Sequence, residues 1–287
     1  MTSSDEVRAW LPRPRPGEDK DARGRVLVVG GSLRYSGAPL LVATGALKTG
    51  AGIVTLAVAR SLAMALAGRV PELTFLPLDE ASPGVIDSSA ARQIASGLGE
   101  GRYRAMVVGP GLGHDPTTDA LVLGTLARAT VPVVIDADGL NALARTSDWP
   151  KRLPPDAVLT PHAREAARLA GGDVGEPRVE WASDRARAWG AVLVLKGACT
   201  VVASAGGDVF AHDRPNPALA TAGSGDVLSG CIAALAAGGL VPYRAACAAV
   251  VLQGEAGDLV AREVGVRGAT AGDLAARLPR ALESLSA

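Results

Sequence analysis

Short apolar runs rich in Val, Ile and Leu recur along this chain. Most end at glycine, an acid or a Thr-Pro pair, after which a stretch of helical spacing begins. The runs are 25–29, 53–58, 73–76, 105–108, 131–135, 157–159 and 192–195. Runs this short and this uniformly apolar, separated by helices, fit a parallel sheet covered on both faces. The alternation predicts a three-layer αβα sandwich with a doubly wound, mostly parallel sheet. Right-handed crossovers then gather the loops at the strands' carboxyl ends along one edge, where open α/β sheets bind ligands. Those loops are 30–38, 109–113, 136–141, 160–162 and 196–200. The runs 201–203 and 208–211 depart from the scheme and predict a hairpin through Gly206-Gly207.

The chain has 287 residues, 48% of them hydrophobic, which suffices for one large core. Two parts are expected: a Pro- and charge-rich N-terminal arm over 1–23, and a single domain over 24–287. In the arm, Leu11-Pro12-Arg13-Pro14-Arg15-Pro16 and Glu18-Asp19-Lys20-Asp21 predict no packed element. Trp10 and Leu11 are available there to dock on a neighbour. A formal charge of zero and 3% aromatics leave neither a basic face nor a base-stacking platform, so nucleic acid is not an expected partner. Cys199, Cys231 and Cys247, with only three histidines, form neither a disulfide framework nor a zinc pattern. The first residues are polar and no apolar run is long enough to span a bilayer, which predicts a soluble cytoplasmic protein with no membrane partner.

The chemistry concentrates in 216–230, Asn-Pro-Ala-Leu-Ala-Thr-Ala-Gly-Ser-Gly-Asp-Val-Leu-Ser-Gly. Small residues stand where a helix begins, and a helix start presents unpaired N–H groups and a positive dipole. Gly223, Ser224 and Gly225 therefore read as an anion hole for a phosphate. Asp226 beside it reads as a base for a hydroxyl or as a group acting through a metal, or alternatively as a plain N-cap. Asp136 and Asp138 at a strand end could hold Mg²⁺, although a buried anchor and a helix cap account for them more simply. His162 lies in another carboxyl-side loop and is a candidate substrate contact. Lys196, before glycine at a strand end, faces either a phosphate or solvent. Gly109-Pro110-Gly111-Leu112-Gly113 lacks the Rossmann spacing, and Lys48-Thr49 lacks the Walker glycines.

Several segments together resemble the ribokinase-like superfamily and, within it, the ADP-dependent NAD(P)H-hydrate dehydratases. They are Gly24–Ser32, Tyr35-Ser36-Gly37-Ala38-Pro39, Leu47–Gly52, Gly109–Gly113, Asp136–Asn141, Thr160-Pro161-His162, Leu195-Lys196-Gly197-Ala198 and Asn216–Gly230. The resemblance implies that Ala38, Gly111, His162 and Asp226 meet the substrate, hydrated NADH or NADPH of the S configuration. It puts ADP along Lys196, Gly197, Ala198, Cys199 and Thr200 and at Gly225. It further implies Mg²⁺ on the phosphates with no protein ligands named, release of AMP and phosphate, and a homotetramer. A separate epimerase is expected, because many relatives carry that activity in an N-terminal domain and only a short arm stands here. Two departures stand out. Ala163-Arg164-Glu165 replaces the usual Pro-Gly-Glu, and Ala222 replaces a glycine, which matters only if the position needs positive φ. A small-molecule kinase of the same superfamily (hydroxymethylpyrimidine, hydroxyethylthiazole or pyridoxal type) and a non-catalytic nucleotide-binding regulator are the alternatives.

Overall fold

Strands β1 (Arg25–Val29), β2 (Ile53–Ala59), β3 (Thr74–Leu78), β6 (Ala105–Val108), β7 (Val133–Ile135), β8 (Ala157–Leu159), β9 (Val192–Leu195), β10 (Cys199–Ala203) and β11 (Val209–Asp213) form one sheet; β4 (Glu80–Ser82) and β5 (Val85–Ile86) pair separately. The computed structural model describes residues 1–13, 16–101 and 103–286, so Pro14 and Arg15 of the proline run lie outside it. The order in the large sheet is β11-β10-β9-β8-β7-β6-β1-β2-β3. All pairings from β3 to β9 are parallel, while β10 runs antiparallel to both β9 and β11. The predicted hairpin is present, with Val201 opposite Ala211 and Ala203 opposite Val209. Residues of β6, β7, β8 and β9 are all buried, as a sheet covered on both faces requires.

The helices are α1 (Ser4–Ala9), α2 (Gly37–Thr49), α3 (Arg60–Leu66), α4 (Ala90–Gly101), α5 (Pro116–Leu126), α6 (Asp138–Ala144), α7 (Ala163–Ala170), α8 (Arg178–Trp189), α9 (Ser224–Ala237), α10 (Pro242–Glu263) and α11 (Ala271–Ser286). Helices cover both faces of the sheet, and α2, α9, α10 and α11 pack on one another as one layer. α9 lies so close to α2 that a Cβ on Gly230 would collide with the Val42 carbonyl, and one on Gly45 would sit 2.6 Å from the Val227 carbonyl. Two facing glycines thus set this contact.

Strand order reverses at β1, which sits between β2 and β6. The loops after β1 and β6 meet at that switch point, the Gly31 N–H donating to the Pro110 carbonyl at 2.8 Å. Ligands of open α/β sheets bind at such a point.

The arm corrects an expectation. Residues 1–11 contain a packed element: Ser3 and Glu6 form a capping box that starts α1, and Val7 and Leu11 are buried. Trp10 stands edge-on to Tyr243 at 6.4 Å with the Arg244 guanidinium 4.9 Å from its ring, so the arm docks on its own α10. The Ser-x-x-Glu cap and the apolar stripe Val7, Trp10, Leu11 precede the prolines and outweigh them. Helix α3 and strands β4 and β5 were not expected, and α5 begins at Pro116, behind an Asp115 cap, rather than at 119.

Candidate active site

Gly223 caps α9 with φ +87°, a left-handed conformation that glycine adopts without steric cost. Ala222 is not in that region, so its replacement of glycine carries no backbone penalty. The Ser224 N–H donates to the Thr221 carbonyl at 3.3 Å. The Gly225 and Asp226 amides make no hydrogen bond among the described residues. The Gly223 amide is likewise without a hydrogen bond among the described residues, so the open donors are those of Gly223, Gly225 and Asp226, and of the three predicted amides only that of Ser224 is engaged. The Gln253 side chain, from α10, donates to the Ser224 carbonyl at 2.7 Å and fixes this first turn.

Lys196 follows β9 and reaches across the end of β8 to the end of β7. Its ammonium donates to Asp136 Oδ1 at 2.9 Å and lies 3.1 Å from where a Cβ on Gly225 would be. It is therefore not a surface lysine. Asp136 is 2% exposed; it also accepts from the Ser229 hydroxyl at 2.7 Å and from the Ala137 N–H at 2.9 Å. The anchoring role read for Asp136 is what the geometry displays. Asp138 does not cap α6; it accepts from the Gly113 N–H at 2.8 Å and from the Asn141 amide, tying α6 to the loop after β6.

His162 caps α7: its Nδ1 accepts from the Arg164 and Glu165 amides, while Glu165 accepts from the His162 N–H. That capping box needs glutamate at the third helical position, and Glu165 keeps it despite the altered Ala163-Arg164. Because Nδ1 accepts, neutral His162 carries its proton on Nε2, 3.6 Å from Glu165. Ala38 and Gly111 lie together at the switch point, an added Gly111 Cβ falling 3.0 Å from the Ala38 Cβ.

A cleft of about 440 Å³ opens beside the α9 start. Of the residues assigned to the nucleotide, Lys196, Gly197, Ala198, Thr200 and Gly225 line it, and Cys199 does not. The Thr200 hydroxyl closes the 197–200 turn on the Gly197 carbonyl at 3.1 Å. Pro217, Leu219, Leu228 and Val250 supply apolar walls, and His212, Arg214, Asn216 and Gln253 supply polar ones. Sequence reasoning missed His212 and Gln253 as site residues. Gln253 left a trace, a polar residue ending the buried run 245–252; His212 on strand β11 left none.

The charges are organised around Asp226. Burial, with the negative charge of Asp136 next in strength, pushes its carboxyl up to about 7, against the pull of Lys196. Burial likewise raises Glu165, opposed by Lys196. Burial works against the Lys196 ammonium, but Asp136, Glu165 and Asp226 outweigh it and hold the lysine charged above its ordinary value. A carboxyl poised near neutrality beside free helix amides and a fixed ammonium can take a proton from a hydroxyl while stabilising anionic charge.

The fold is ribokinase-like, with open helix amides and a buried carboxyl at the carboxyl edge of the sheet; a ribokinase-like superfamily protein from Enterococcus faecalis shares the fold, with a TM-score of 0.81 at 23% identity. The match is narrower than the superfamily. A family model described as NAD(P)H-hydrate dehydratase matches residues 26–280, and the chain belongs to that family. It is 45% identical over 97% of its length to the bifunctional NAD(P)H-hydrate repair enzyme Nnr of Moorella thermoacetica, covering 53% of that protein. The chain thus spans about half the length of the first curated relatives it matches. It is 37% identical to the ADP-dependent (S)-NAD(P)H-hydrate dehydratase of Xanthomonas campestris, covering 96% of this chain and 93% of that one. The Bacillus subtilis ADP/ATP-dependent NAD(P)H-hydrate dehydratase, co-crystallised with ATP/Mg²⁺, superposes with a TM-score of 0.84 at 31% identity over 99% of this chain and 97% of that one. Among the described residues no helix is long and apolar enough to cross a membrane.

Proposed function

We propose that this protein dehydrates the S form of hydrated NADH or NADPH at the expense of ADP. The observation that carries the reading is Asp226, a carboxyl poised at about 7 against the open amides of α9. The hydroxyl on the hydrated ring is a poor leaving group. Its oxygen attacks the terminal phosphorus of ADP, the bond from that phosphorus to the bridging oxygen breaks, and AMP departs; Asp226 takes the hydroxyl proton. The ring nitrogen lone pair then expels phosphate from the neighbouring carbon. Loss of a proton from the next ring carbon restores the dihydronicotinamide. The Gly225 and Asp226 amides and Lys196 balance charge on the transferred group. The diphosphate reaches them from the cleft lined by Lys196, Gly197, Ala198 and Thr200, and the nicotinamide lies toward Ala38, Gly111 and His162.

Mg²⁺ belongs to this reading as an ion carried on the nucleotide. Among the described residues no three metal-binding side chains converge. In this reading the ion's partners are phosphate oxygens and water. We also propose that the protein is cytoplasmic, works as a homotetramer and depends on an epimerase to convert the opposite epimer. Light scattering giving a mass other than four chains would refute the tetramer.

The decisive experiment incubates the protein with hydrated NADH and either ADP or ATP and follows the return of reduced-nicotinamide absorbance. Asp226→Asn should bind ADP normally and lose about 10²- to 10⁴-fold in turnover. Near wild-type turnover in that variant rejects the base, and a stable phosphorylated product in place of AMP and free phosphate would mark a kinase.

A further inference from the structure

We propose that Asp136 is a positioning residue for this reaction: it holds the Lys196 ammonium over the opening of α9 and keeps it off Asp226. The proposal rests on the dehydratase reading and assigns a task to a residue that touches neither substrate.

Asp136 sits at the end of β7, almost wholly buried, and its two carboxylate oxygens are tied in three directions. Oδ1 accepts from Lys196 at the end of β9, at 2.9 Å, and from the Ala137 N–H, also at 2.9 Å; Oδ2 accepts from Ser229 in α9 at 2.7 Å. Ser229 lies three residues past Asp226, so the same helix that carries the base also orients Asp136. The next residue, Ala137, has φ +49° and ψ −115°, a conformation costly for any residue with a Cβ, and strain of that kind collects where a side chain must be aimed.

Lys196 has three N–H donors. One goes to Asp136, and among the described residues no other acceptor contacts the ammonium. Two donors are thus left beside the open amides of Gly225 and Asp226. Asp226 is faced by Asp136 from β7, Asp138 from α6, Glu165 from α7 and Lys196 from β9. Of these only Lys196 favours its ionised form. A lysine released from Asp136 would find Glu165 and Asp226 as its nearest counter-charges, and pairing with Asp226 would remove the base's affinity for a proton.

The test uses the full chain without substrate. The Asp226 carboxyl carbon is titrated by NMR in wild type, Asp136→Asn and Asp136→Glu, and ADP affinity is measured by calorimetry. In Asp136→Asn the Asp226 midpoint should fall by about one pH unit or more, and the acid limb of kcat/KM should fall with it. In Asp136→Glu, which keeps the charge and the pairing with Lys196 but shifts the ammonium by the length of a methylene, the midpoint should stay within about half a unit while the Kd for ADP rises about tenfold. An unmoved Asp226 midpoint in folded Asp136→Asn overturns the proposal. Should that variant fail to fold, an unchanged ADP Kd in Asp136→Glu overturns it instead. A midpoint that falls in a protein without turnover on hydrated NADH would reject the dehydratase reading and leave the Asp136 assignment standing.

Discussion

At pH 7 about half of the Asp226 carboxyls hold a proton, and a base must be empty to work. Turnover should therefore climb through this pH and flatten above it, a profile read from kcat/KM between pH 5.5 and 8.5. The same residue has an opposite consequence for stability. Its folded pKa lies above the unfolded value of 3.8. Asp226 therefore favours the fold only while protonated: its contribution is complete below the unfolded value and is lost as pH rises through about 7. Asp226→Asn should thus be more stable than wild type at pH 8, by about 1–3 kcal/mol, with the gap closing toward pH 4. Urea denaturation at both pH values checks the sign. Ala137 offers a second residue-scale prediction. Glycine inside a structured segment ordinarily costs stability, but at φ +49° it relieves more than it costs, so Ala137→Gly should stabilise by about 1 kcal/mol. A lower melting temperature in that variant would contradict the reading.

Among the elements, the contact between α2 and α9 sets the position of the reactive turn. A methyl on Gly230 has no room against the Val42 carbonyl, so Gly230→Ala should cost about 3 kcal/mol and loosen ADP binding, both measurable in one set of melts with and without nucleotide. This pairing was not legible in the sequence, because nothing in 216–230 says which residue faces a neighbouring backbone. The strands were legible, since β1, β6, β8 and β9 are continuous apolar runs bounded by turn residues. The glycine and acid loops that follow them fell where carboxyl-end loops must fall. The Lys196–Asp136 pair was not legible, because 60 residues separate its partners and only the folded sheet brings them to 2.9 Å. The first turn of α9 was legible in kind; that the Ser224 amide would turn back to the Thr221 carbonyl was not.

For the whole molecule, docking of α1 joins the chain's beginning to α10, whose Gln253 holds the reactive turn. Trp10→Ala should cost about 2 kcal/mol from lost ring packing and lower Tm by about 4 °C, a loss seen by calorimetry and absent if the arm contributes nothing. The arm also reaches the sheet: the Thr2 N–H donates to the Val209 carbonyl of β11 at 2.9 Å, and β11 is an outermost strand. Outermost strands carry unpaired peptide groups on which foreign chains nucleate. A fusion that draws Thr2 away from Val209 would bare that rim, and the first symptom would be clumping during expression rather than any change in chemistry at the far end of the sheet.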